Sequence, residues 1–257
     1  MNISFFDSNT YMGRSSNGTY RPAVSAEELL AAMDDAGIEK ALVWHIAQLD
    51  YSAVEGNKLL STLIRQQERL FGCWTVLPPQ TGEMDLGEAF FRKMKEERIF
   101  ALHIFPGRHR FILNRIVFGS FMDEVSRRRI PLLLSIPKHA GPGDISWQYM
   151  YDFLLQFPEI TCIICDTGVW GTDRYFRPLL ENYKNVYLDS SLLSIGDGVI
   201  EDVVLKYGSK RIVFGSGFPK RCPESAMLQL IHADITDDRK KDIACGNLER
   251  LMKEVLL

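Results

Sequence analysis

Three side chains able to carry a proton stand at the ends of short apolar runs. His45 closes "ALVWH", His103 lies in "FALHIFP", and Asp166 follows "ITCIIC". A histidine beside a carboxylate makes a general base with a pKa near neutrality. Asp166 with His45 or His103 is therefore the candidate catalytic set. Other run ends carry side chains suited to holding a ligand: Asn9, Tyr11, Ser135, Lys138, His139 and Ser216. Arg14 and Arg108 occupy the adjoining loops, where Arg21, Arg110, Lys220 and Arg221 add further basic groups. Such groups hold carboxylates and phosphates by charge-assisted hydrogen bonds. The expected partner is a small, anionic molecule. Two of His45, His103 and His139 together with Asp166 would alternatively supply the three ligands of a metal site.

The elements that must position these residues repeat along the whole chain of 257 residues. Short apolar runs alternate with longer amphipathic ones, from "ISFFDS" through "FGCWTVLPP" and "IPLLLSIP" to "RIVFGSG". Near-continuous apolar strands are expected where helices cover one face and a packed interior the other. In "SAEELLAAMDDAGIEK", Ser25 and Glu28 have capping-box spacing and Gly37 suits a helix end. Residues 53–70 read as a helix despite Gly56, because Leu59, Leu60, Leu63 and Ile64 share a face. Eight such units favour a closed barrel over an open sheet, and the loop after the first strand, "SNTYMGRSSNG", has no G-x-G-x-x-G. The expected fold is a single-domain α/β protein, a (β/α)8 TIM-like barrel over residues 1–257. In that fold functional side chains collect at the C-terminal ends of the strands, which is where the candidates lie.

Bulk properties narrow the class. The chain is 46% hydrophobic and 25% charged, with a formal net charge of -3. Nothing in this balance argues for nucleic acid or an anionic membrane surface, and no apolar run is long enough for a membrane span. The first residues lack the features of a signal peptide. Five scattered cysteines suit a reduced, cytoplasmic protein. Cys162 and Cys165 form C-x-x-C, but strand alternation puts them on opposite faces. A homo-oligomer is compatible with all of this.

Several segments resemble the amidohydrolase-related family of metal-dependent barrels, which includes aminocarboxymuconate-semialdehyde decarboxylases. "FFDSNTYMG" resembles an opening I-D-x-H-x-H-x-G. "LLQFPEITCIICDTG" is similar to l-x-x-F-P-x-l-k-i-i-l-x-H-x-G, "NVYLDSS" to N-V-Y-x-D-x-S, and "RIVFGSGFP" to R-I-l-F-G-S-D-y-P. The resemblance implies a divalent metal held by two strand-one histidines, histidines on strands five and six, and a strand-eight aspartate. Those positions fall on Asn9, Tyr11, Ser135, Asp166 and Gly217. The framework motifs persist and the ligands do not, so no metal and no other cofactor is expected. The resulting expectation is a divergent hydrolase or lyase acting on a small anionic metabolite without the family metal. Two alternatives stay open. One is a catalytically inactive descendant that binds a metabolite or a partner protein. The other is a metal-dependent hydrolase with a relocated site.

Overall fold

The computed structural model describes residues 3–16, 18–136, 144–167, 171–195 and 198–257. Its strands are β1 (Phe5–Met12), β2 (Ile38–His45), β3 (Leu70–Trp74), β4 (Ile99–His103), β5 (Leu132–Ser135), β6 (Cys162–Cys165), β7 (Val186–Asp189) and β8 (Ile212–Val213). They form one sheet in sequential order, and every adjacent pair is parallel. Hydrogen bonds bring the two ends of the sheet together. Ser8 N–H donates to Phe214 O at 2.8 Å, Tyr11 N–H to Phe218 O at 3.1 Å, and Gly217 N–H to Asn9 O at 3.1 Å. The expected (β/α)8 barrel is the observed fold.

The helices are α1 (Ala26–Ala36), α2 (Ala47–Asp50), α3 (Ala53–Ile64), α4 (Glu88–Glu96), α5 (Pro106–His109), α6 (Arg115–Arg127), α7 (Trp147–Gln156), α8 (Asp173–Asn182), α9 (Val199–Tyr207), α10 (Pro223–His232), α11 (Asp237–Lys241) and α12 (Asn247–Glu254). Their starts follow local chemistry. Ser25, Ser52, Asn114 and Ser146 each accept a hydrogen bond from the backbone N–H three residues on, which satisfies a donor that the helix leaves orphaned. The Glu28 carboxylate reaches back to Val24 N–H at 2.8 Å. Gly37 ends α1 with φ 80°, a conformation open to glycine at little cost. Gly56 is kept in α3 by a close approach, since a Cβ there would lie 2.4 Å from the backbone nitrogen of Gln48 in α2.

Two apolar layers hold the barrel. The inner one draws on every strand, with Phe6, Leu42, Cys73, Ala101, Leu133, Ile163, Tyr187 and Val213 among its members. Side chains of the other parity, such as Ala41, Val43, Leu102, Leu132, Leu134 and Ile164, join the helices in an outer layer. Cys162 belongs to the outer layer and Cys165 to the inner one, as strand alternation requires. Among the described residues no helix is long and apolar enough to cross a membrane.

Candidate active site at the barrel mouth

Moving two residues toward the C-terminal end of each strand keeps a side chain inside the barrel. From Leu42, Ala101 and Leu133 that step reaches Trp44, His103 and Ser135. All three line a cavity of about 190 Å³ at the mouth. Asp166 joins them differently. It follows Cys165, whose side chain is inside, so simple alternation would turn it out. It instead adopts φ 61°, a left-handed conformation that an aspartate tolerates better than most residues, and it lines the same cavity.

The cavity lining combines aromatic and charged side chains. Tyr11 and Trp44 pack with ring centroids 4.6 Å apart, and Trp44 meets His103 edge-on at 5.1 Å. Phe105 lies 4.3 Å from the His103 ring. Opposite charges come from Arg108, Lys220 and Arg221 and from Asp144 and Asp166. Arg221 Nη2 donates to Asp166 Oδ1 at 2.9 Å, with the two side chains 28% and 17% exposed. Arg221 Nη1 reaches Ser191 Oγ at 3.5 Å. The Lys220 ammonium stands 6.0 Å from the centre of the Tyr11 ring. Arg108 is turned to Leu49 O at 3.2 Å and Asp50 at 3.4 Å.

His103 is held neutral. Burial pushes its pKa down to about 3, with Lys220 adding to the effect and Asp166 opposing it. Its Nε2 lies 3.1 Å from Ser135 Oγ, while Nδ1 is buried without a hydrogen-bond partner among the described residues. At neutral pH this imidazole can orient the Ser135 hydroxyl but is a weak base.

Six of the expected site residues thus converge on one cavity: Asn9, Tyr11, His103, Arg108, Ser135 and Asp166. Three others are placed elsewhere. His45 is adjacent to inward-facing Trp44 and therefore points away. Its Nδ1 accepts from Ala47 N–H at 3.1 Å, and its ring packs against Gly13. Ser216 is buried beneath the cavity, donating from Oγ to Asp7 and accepting from Phe218 N–H at 3.0 Å. Arg14 is exposed and outside the lining. Lys138 and His139 lie outside the described residues. The cavity also recruits Trp44, Gly217, Lys220 and Arg221. For Lys220 and Arg221 the sequence signal was the pair of consecutive cations directly after the strand-eight turn.

Two buried carboxylates support the mouth from below. Asp7 Oδ1 accepts from Asn9 N–H at 3.0 Å and Ser216 N–H at 2.9 Å. Asp189 accepts from Ser8 Oγ at 3.0 Å, from Ser191 N–H at 3.0 Å and from Ser191 Oγ. Burial raises both pKa values, and Asp189 is pushed up to about 7, with Asp166 and Asp7 adding repulsion. These groups tie β1, β7 and the segment after β8 together.

The positions where the resemblance implies metal ligands are side by side. Asn9, Tyr11, Ser135, Asp166 and Gly217 all line the cavity. As a donor set they do not fit a transition metal, which wants about three imidazole, thiolate or carboxylate ligands. The one carboxylate is already paired with a guanidinium. Among the described residues no group of three or more His, Cys, Asp or Glu is arranged to hold a metal ion.

No protein-family model and no curated protein matches the sequence. Solved structures do match over nearly the whole chain. A dihydroxybenzoic acid decarboxylase from a Polaromonas species, with bound manganese and the inhibitor 2-nitroresorcinol, superposes with a TM-score of 0.73 at 17% identity, covering 98% of this chain and 97% of that one. The barrel shares its fold with this decarboxylase and with a putative amidohydrolase from Staphylococcus aureus, which matches with a TM-score of 0.76 at 14% identity, covering 98% of this chain and 100% of that one. A 2,6-dihydroxybenzoate decarboxylase from Rhizobium matches with a TM-score of 0.70 at 16% identity, covering 98% of each chain. A 5-carboxyvanillate decarboxylase from Sphingomonas paucimobilis matches at 0.69 and 13%, covering 98% of this chain and 99% of that one. Three of these structural neighbours are decarboxylases, and a probable 2-pyrone-4,6-dicarboxylic acid hydrolase from Acinetobacter baumannii matches as well.

Proposed function

We propose that this amidohydrolase-fold barrel binds a small anionic molecule in its mouth cavity and acts on it as a hydrolase or lyase without a metal ion. The observation that carries the reading is the Asp166–Arg221 pair in the lining of a cavity of about 190 Å³. A cavity of about 150 Å³ accepts a benzene ring, so this one suits a single-ring molecule. The aromatic wall takes the apolar part and the basic groups take the charge. Asp166 is the proton-transfer group, and Ser135, oriented by neutral His103, is a hydroxyl donor to the ligand. Neighbouring folds that act on aromatic acids add weight to the choice of ligand class.

The test is thermal stabilisation by a panel of single-ring carboxylates and their neutral amides, followed by product analysis of every acid that binds. Expected are saturable stabilisation by acids but not amides, turnover that survives chelator, and loss of that turnover by at least about 100-fold in Asp166→Asn, the scale of a general acid–base contribution. Absence of binding by every acid would overturn the reading. A second reading has its own support, because Asp166 is already ion-paired and His103 is held neutral. It makes the barrel a non-catalytic binder, and stabilisation without any turnover selects it.

A further inference from the structure

Position 217 explains how a cation other than a metal comes to sit in this mouth. Gly217 adopts φ 69°, and a Cβ built on it would lie 2.4 Å from Arg221 Nη1. Any side chain there would displace the guanidinium. Gly217 is also fixed in place, since its N–H donates to Asn9 O at 3.1 Å and its carbonyl accepts from Arg221 N–H at 3.2 Å. The turn therefore folds Arg221 back across its own glycine and delivers the guanidinium to Asp166.

From this we infer that Gly217 and Arg221 form one anion-binding unit, in which a guanidinium seated in the slot left by the glycine is the primary anchor for a carboxylate ligand. The inference rests on the proposed anionic ligand and assigns the group that holds it. Arginine offers five N–H donors in a planar fork. Among the described residues Asp166 and Ser191 are the acceptors the guanidinium reaches, so donors remain for a ligand. Asp166 restrains the fork, so less freedom is lost on binding. Lys220, the residue just before Arg221 in the same turn, contributes a second positive charge to the lining. A planar carboxylate matches such a fork by two parallel hydrogen bonds, whereas a lysine at 221 would offer only a point charge. The glycine thus acts as a specificity-determining residue through what it leaves open.

The experiment is calorimetric titration of the full chain with benzoate and ring-substituted benzoates, against the matching benzamides. It compares wild type, Arg221→Gln, Arg221→Lys, Gly217→Ala and the Gly217→Ala/Arg221→Gln double variant. Arg221→Gln is expected to weaken acid binding about 10- to 100-fold, the range for a hydrogen-bonded charge, and to leave the benzamides without saturable binding, as with wild type. Arg221→Lys should recover only part of the loss. Gly217→Ala should weaken acid binding by itself, yet add less than about twofold in the Arg221→Gln background, because coupled residues are not additive. Should Gly217→Ala fail to fold, the Arg221→Gln and Arg221→Lys comparison decides alone. Wild-type chain that binds none of the acids overturns the ligand reading together with this inference. Acid binding by wild type that Arg221→Gln matches within twofold overturns the inference and leaves that reading standing.

Discussion

His103 and Asp189 place two buried titrations of opposite sign within one site. An imidazole in the unfolded chain titrates near 6.5, while folded His103 titrates at about 3. Between those values the unfolded chain binds a proton that the folded one does not. The contribution of His103 is thus complete above pH 6.5 and is lost as the pH falls toward 3. Asp189 runs the other way. Its carboxyl titrates at about 7 when folded, against an ordinary value of 3.8, so the folded chain keeps a proton that the unfolded chain has released. That contribution is complete below pH 3.8 and is lost as the pH rises through 7. Thermal and urea unfolding across pH 4.5–8 should show His103→Gln removing a slope in which stability falls with acid. Asp189→Asn should remove one in which stability falls with base. Each slope approaches about 1.4 kcal/mol per pH unit. Retention of the full acid-side slope in His103→Gln would mean that another group titrates there. The contrast between His45 and His103 was in principle legible from parity. Leu42 and Trp44 point in, so His45 points out; Ala101 points in, so His103 does too. Asp166 was not legible in this way, because its positive φ breaks the alternation.

Elements set by local chemistry were open to reading from sequence, and those set by contact were not. The apolar strand runs, the serine N-caps and the Gly37 terminus all follow from neighbouring residues. The four-residue helices α2 and α5 have no side-chain cap, and the one local start signal is Pro106 at the first position of α5. They exist where the chain turns over the mouth. Gly56 shows the same division. Helix propensity alone says that alanine there should stabilise α3 by up to about 1 kcal/mol. The crossing of α2 says otherwise, because the new Cβ would lie 2.4 Å from Gln48 N and 2.7 Å from its Cα. Gln48 cannot yield freely. Its side chain accepts from His45 N–H at 2.7 Å and donates to Asn57 Oδ1 at 2.7 Å and to Cys73 O at 3.0 Å. Gly56→Ala is expected to destabilise the protein by about 1–3 kcal/mol, as overpacking does. Denaturant midpoints at unchanged slope would show it, and a midpoint shifted toward greater stability would contradict the crossing.

At the scale of the whole molecule, barrel closure decides what the mouth contains. Residues far apart in sequence, from Asn9 on β1 to Arg221 beyond β8, share one cavity because the last strand returns to the first. The sequence resemblance was enough to say which five positions would meet. It could not say which cation would join them in the lining, since Arg221 enters only through the turn at Gly217. On the proposed reading, the guanidinium beside Asp166 keeps a divalent cation out by repulsion. This has a consequence for linkage. A metal that binds only the folded chain at a hundred times its Kd adds about 2.7 kcal/mol of stability. In a chain of this size that amounts to a rise in Tm of roughly 5–11 °C. Chain freed of metal by chelator and then supplied with manganese or zinc should instead show a Tm within about 1 °C of its starting value. A benzoate that binds should stabilise it equally with and without chelator. A rise of several degrees with either metal, removed again by chelator, would show that the mouth admits a cation despite Arg221. The fixed-cation account of the site would then fail at its first premise.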